Sequence, residues 1–192
     1  MPYYHTTTTD RGTSFTASNG GYYEAVNDHG CPELLTAAGE VIGFETADIP
    51  TIAGSHTPEA SLFAAAFNHD TANTYYIYET SLEPDQDLSN CGFDFSIIEE
   101  VRWKHPDDTP VPFDHYATIS LPPTAIDHVQ DVYAGNPHDP DAAWATYIQY
   151  AFRAMIINDV PYPSDLNEQY DHPYADYFDD VETSPPDTPT PR

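Results

Sequence analysis

An α+β fold on a mostly antiparallel sheet is what this sequence predicts, and three observations carry the prediction. Two segments, opening at Thr57-Pro58 and Asp139-Pro140, pair a capping residue with a proline and then run apolar at helical spacing. Three others, Pro2 to Thr9, Thr74 to Leu82 and His115 to Leu121, are rich in aromatic or β-branched residues and end in turn or proline signals. No internal repeat is present, and about five strands with three helical segments leave room for one domain in 192 residues.

The elements follow in chain order. Pro2 to Thr9 predicts a terminal strand running into the turn-prone Asp10-Arg11-Gly12. Ser18-Asn19-Gly20-Gly21 breaks the chain before Tyr22 to Val26, which suits helix and strand equally. Glu33 to Ala38 reads as helical, Gly39 ends it, and Glu40 to Thr46 alternates as a strand. Thr57 then serves as N-cap, Pro58 as the first helical residue, Glu59 as a first-turn acid, and Ala60, Leu62, Phe63, Ala66 and Phe67 as the apolar stripe. Thr74 to Leu82 is the clearest strand and belongs inside the sheet. Ser96 to Trp103 reads as a further strand, with Ile98, Glu100 and Arg102 on one face and Ile97, Glu99, Val101 and Trp103 on the other. His115 to Leu121 ends at Pro122-Pro123. Pro140 to Asp159 is the strongest helix, with Ala143, Trp144, Tyr147, Ile148, Ala151 and Met155 on one side. The expected division is a single domain over 1–160 and an extended acidic, Pro- and Tyr-rich segment over 161–192, at least partly disordered.

Charge sets the expected environment. Thirty-two Asp and Glu face five basic residues, a formal net charge of -27. In dilute buffer such self-repulsion loosens a compact fold, whereas molar salt shortens the screening length to about 3 Å. The chain therefore reads as halophilic, at home in a high-salt archaeal cytoplasm or associated with a halophilic virion. Direct nucleic-acid binding is disfavoured, because phosphate neutralisation needs Lys and Arg that this chain lacks. No apolar run approaches a membrane span and the start has no signal-peptide pattern, so neither membrane insertion nor secretion by a signal peptide is expected. Fifteen tyrosines and nine phenylalanines predict an aromatic core with polar edges. Cys31 and Cys91 fit no zinc spacing and leave a bridge between them open. Six of the nine histidines stand beside an acid, but none has the spacing of a metal site, and no metal is predicted.

GxGxxG, Walker, GxSxG and HExxH signatures are all missing, which disfavours Rossmann-type dinucleotide domains, P-loop enzymes, α/β-hydrolases and zincins. A more specific pattern is an ordered set of three pieces. Tyr4-His5-Thr6-Thr7 lies on the first strand, Ser55-His56-Thr57-Pro58-Glu59 opens a helix carrying Phe63 just before the strand Tyr75 to Tyr78, and Glu99-Glu100-Val101-Arg102 lies on a later strand.

In that order these pieces resemble the ADP-ribosyltransferase superfamily, over about Tyr3 to Leu121. The resemblance implies a split antiparallel sheet around NAD. His5 would contact the adenosine ribose, Thr6 would support the same strand, and Ser55 and Thr57 would brace the nicotinamide pocket. Tyr22, Tyr23 or Phe63 would stack on the nicotinamide ring. Glu100, the acid before Val101, would be the catalytic carboxylate facing the positive charge that develops on the sugar as nicotinamide leaves. Thr6 stands where the family usually keeps Gly, and Ile98 stands two before Glu100 where arginine-modifying members carry Glu or Gln, which points to an acceptor other than arginine. A second expectation comes from the tyrosines, which supply large contact area with few rotatable bonds: a non-enzymatic structural or accessory protein of a halophilic archaeal virus, acting through protein partners.

Overall fold

The computed structural model describes residues 1–15, 22, 23, 26, 31, 34–37, 40–44, 47, 49–69, 71–91, 96–104, 110–135, 142–164 and 166. Along them run β1 (Tyr3–Thr7), β2 (Ser14–Phe15), β3 (Leu34–Ala37), β4 (Glu40–Phe44), β5 (Thr51–Ser55), α1 (Pro58–Asn68), β6 (Thr74–Thr80), β7 (Gln86–Asp87), β8 (Glu100–Lys104), β9 (Val111–Pro112), β10 (Asp114–Ser120), α2 (Pro123–Gly135) and α3 (Ala142–Asn158). Six strands form one sheet in the order β10-β6-β1-β5-β8-β7, every neighbouring pair antiparallel. The predicted α+β class with a mostly antiparallel sheet is the observed one.

Strand alternation divides the sheet into two unlike faces. Tyr4, Tyr75 and Ile77 point toward α1, α2 and α3 and join Leu62, Phe63, Ala125, Val129, Ile148 and Phe152 in the larger core. Thr6 lies on this side too, where its Oγ1 hydrogen-bonds Ser61 Oγ at 2.7 Å and ties β1 to α1. On the opposite face Tyr3, Ile52, Tyr78, Val101 and Trp103 pack under the short β2/β9 ribbon, which supplies Phe15 and Val111, and under the adjoining Phe113. Those rings meet edge to face, with Phe15 4.8 Å from both Tyr78 and Phe113 and Trp103 5.7 Å from Phe113. Such pairs add about 0.5–1.5 kcal/mol each beyond their area burial. The polar edge is satisfied: the Tyr78 hydroxyl donates to Asp10 Oδ1 at 2.8 Å and accepts from the Arg11 amide at 2.9 Å.

The start of α1 follows its sequence signal. Thr57 has extended backbone, its Oγ1 accepts from the Ala60 amide at 3.3 Å, and Pro58 stands in the first turn, where a missing N–H costs nothing. Gly54 explains its own presence in β5. A Cβ there would lie 2.6 Å from Trp103 Cζ3 and 2.6 Å from the Tyr4 carbonyl oxygen, so only glycine lets β1, β5 and the indole approach this closely.

Four local expectations change. Within Glu33 to Ala38 the structure forms β3, paired antiparallel with β4 from Leu34↔Phe44 to Ala37↔Glu40, so cross-strand bonding overrides the helical tendency of the short Leu and Ala run. Pro122-Pro123 ends β10 as expected, yet Pro123 also begins α2, the helix the sequence reading missed, with Ala125, Ile126, Val129 and Val132 buried. The strand expected from Ser96 begins only at Glu100, because Ser96 and Ile97 are helical and turn residues follow. Thr51–Ser55, where the sequence reading assigns no strand, is the strand β5 joining β1 to β8. The proposed cap at Asp139-Pro140 lies outside the described residues. At the other end of α3, Tyr162 (7% exposed) and Leu166 (2% exposed) belong to the helix-side core, so the beginning of the 161–192 segment is packed. Cys31 and Cys91 are joined in a disulfide, with Cα atoms 5.0 Å apart.

Candidate functional site

The three sequence pieces meet on adjacent strands. Tyr4 pairs with Ser55 between β1 and β5, and Ser55 pairs with Glu100 between β5 and β8. One residue further, the His56 amide donates to the Glu99 carbonyl at 3.3 Å, and the Tyr3 and His56 rings lie 5.3 Å apart. Tyr3, His56 and Glu99 therefore form a row across three strands, at the edge where β5 turns into α1.

Beside this row lies an open cleft of about 390 Å³, lined by His56, Asp87, Ser89, Asn90, Ser96 and Glu99. Thr57 Oγ1 donates to Glu99 Oε2 at 2.7 Å, so the hydroxyl that caps α1 also fixes the carboxylate. Glu99 holds φ at 49°, in the left-handed region that non-glycine residues enter at a cost of about 1 kcal/mol or more. That backbone turn, with the Glu99 amide bonded to the Ser96 carbonyl at 3.2 Å, sets the acid at the strand's mouth instead of within its regular alternation. From behind, the Gln149 side chain of α3 hydrogen-bonds the Ile97 carbonyl and ties this turn to the helices.

His56 Nε2 lies 3.0 Å from Asp87 Oδ2. Asp87 Oδ1 accepts from the Ser89 amide at 3.0 Å and from the Ser89 hydroxyl at 2.6 Å. Burial alone would raise Asp87, but the two Ser89 bonds and the His56 ring outweigh it and hold the carboxyl below its ordinary value. An ionised carboxylate can only accept, so the Nε2–H of His56 donates to Asp87. The order Ser89, Asp87, His56 puts the carboxylate between the hydroxyl and the imidazole, which is not the relay a serine nucleophile needs.

The residues chosen from sequence distribute otherwise. Glu100 is 6% exposed and takes a hydrogen bond from Arg102 Nε, and its pKa is raised because burial outweighs the guanidinium. Its partner Arg102 stacks over the Tyr23 ring at 4.9 Å, so Tyr23 is engaged by a cation and packs on Leu88. Ser55 is buried beside Glu100, and Thr6 is buried against Ser61. Phe63 has no exposed surface and lies among helix-side apolar residues, so no ligand ring can reach it. His5 sits on the aromatic face among Phe15 and Phe113, and its Nδ1–H donates to the Ala53 carbonyl at 2.6 Å. Burial outweighs that bond and lowers the imidazole to about 4. His5 and Glu100 are thus on opposite faces, whereas Thr57 reaches the cleft through Glu99. Among the described residues no Lys or Arg lines the cleft, and no three His, Cys, Asp or Glu side chains group closely enough to hold a metal ion.

Asp87, Ser89 and His56 carry no site pattern in the sequence. The Asp-Leu-Ser-Asn turn from 87 to 90 was the available signal, since aspartate followed two residues later by serine favours a side-chain-closed turn, but nothing local says that a histidine thirty-one residues earlier faces it.

The chain matches no protein-family model, no curated protein and no solved structure. No helix among the described residues is long and apolar enough to cross a membrane.

Proposed function

We propose that this is an ADP-ribosyltransferase-like protein that takes NAD as substrate and transfers or hydrolyses its ADP-ribose, with Glu99 as the catalytic carboxylate. One observation carries the reading. The three pieces named from sequence lie on the neighbouring strands β1, β5 and β8, and Thr57 fixes a glutamate at an open cleft where they meet. The NAD molecule brings a positively charged nicotinamide and a sugar carbon on which positive charge grows as that ring departs. A fixed carboxylate acts where charge appears, and Glu99 is aimed at the cleft while its neighbour Glu100 is occupied by Arg102.

The residues fit one end of that substrate better than the other. Asp87 and Glu99 suit a cationic ring and ribose hydroxyls, whereas two phosphates meet no Lys or Arg among the described residues of the cleft and depend on the screening of a high-salt medium. The acidity of the chain supports that medium, and a halophilic origin belongs to this reading.

Nicotinamide release from NAD in molar salt tests it. Glu99→Gln is expected to lower the rate by about 10²–10³-fold, with Glu100→Gln close to wild type wherever it folds. Background rates in the wild type, or equal rates in wild type and Glu99→Gln, end the enzymatic reading and leave an accessory protein that acts through other proteins.

A further inference from the structure

The cleft holds a second chemical group that charge stabilisation by Glu99 does not use. His56 stands next to Glu99 in the same row, and its Nε2 is committed to Asp87. Among the described residues its Nδ1 makes no hydrogen bond. The imidazole is held from two sides, by Asp87 at one edge and by the Tyr3 ring at 5.3 Å, and the Tyr3 hydroxyl is itself anchored to Glu83 Oε2 at 2.8 Å. The side chain keeps 27% of its surface open, so a small molecule in the cleft can reach it.

From this geometry we infer that His56 is the general base for the acceptor, with Asp87 as its positioning residue, and that the acceptor is a neutral hydroxyl, either water or an alcohol group. The inference rests on the NAD reading of the preceding subsection. In the step it describes, the bond between the sugar carbon and nicotinamide breaks and its electron pair leaves with neutral nicotinamide. The acceptor oxygen bonds to that carbon, and its proton passes to His56 Nδ1 and then to solvent. Asp87 stays ionised throughout, which its low pKa supports. A hydroxyl needs this help, because attack without loss of its proton leaves positive charge on oxygen, and a positioned base contributes about 10²–10⁴-fold. A guanidinium acceptor would instead need a carboxylate aimed at it. Asp87 is already committed to His56 and Ser89, and Glu99 to Thr57 and the sugar.

Two measurements on the full chain test the assignment. Imidazole nitrogen chemical shifts of His56 are expected to show the proton on Nε2 in the wild type and to lose that preference in Asp87→Asn, a change that a purely structural role for Asp87 does not produce. With NAD in molar salt, His56→Gln is expected to lower product formation with water and with methanol by about 10²-fold or more. Sodium azide, a nucleophile with no proton to remove, restores product in His56→Gln but not in Glu99→Gln. A wild-type proton resident on Nδ1, or a His56→Gln chain that captures water as fast as the wild type or gains nothing from azide, overturns the assignment alone. A wild type that releases no nicotinamide overturns it together with the NAD reading.

Discussion

The helix-covered face of the sheet and the aromatic face are built by the same strands yet behave as different materials. Under α1, α2 and α3 the residues are aliphatic side chains, small alanines and a few rings such as Phe63 and Tyr75. Under the β2/β9 ribbon they are mostly rings, accompanied by His5 and by hydroxyls that need partners. The first face packs against α1, α2 and α3, while Tyr3 of the second lies 5.3 Å from the His56 ring, beside the cleft of His56, Asp87 and Glu99. The contrast teaches that the two faces hold the same sheet by different kinds of packing, and it can be broken at each side.

The largest effect belongs to the helix side. Phe63→Ala removes a ring with no exposed surface and is expected to cost about 3–5 kcal/mol in denaturant unfolding in molar salt. A cost near zero would mean that the helical layer does not carry the fold. Next comes the aromatic side, where Gly54→Ala drives a methyl into Trp103 and the Tyr4 carbonyl and is expected to cost about 1–3 kcal/mol. Loss of the near-ultraviolet dichroism of Trp103, with helix content retained, would locate the damage on that face.

The smallest effect is one of pH. His5 titrates at about 4 in the folded chain against an ordinary 6.5, so the unfolded chain binds the proton first as pH falls. Its contribution to stability is intact above 6.5 and is lost as pH falls toward 4, by on the order of 1–2 kcal/mol once partial exposure is allowed for. Unfolding midpoints at pH 7 and pH 4.5, wild type against His5→Gln, check this. An equally steep loss in both chains would assign the whole pH dependence to the carboxylates.

Much of the scaffold was legible because its signals are local. Thr57-Pro58 announces α1 through a capping hydroxyl and a proline, and the tyrosine run of β6 admits no competing element. β5 escaped because five residues that include Gly54 carry no strand pattern until Trp103 is seen above them. α2 is hidden because Pro122-Pro123 reads as a stop after β10, although proline starts a helix as readily as it ends a strand. In the candidate site, the sequence placed both acids on one strand, but Glu99 sits in the turn before β8, and which of the two meets the cleft depends on partners that alternation does not reveal. Arg102 decides it by taking Glu100, and Thr57 by taking Glu99.

The left-handed backbone at Glu99 has a consequence for anyone who selects this protein for toughness. Glycine enters that conformation freely, so heat-resistant variants gathered without an activity screen will drift toward it at this position and lose the acid unnoticed. Persistence of glutamate there through many rounds of growth is therefore a mark of use.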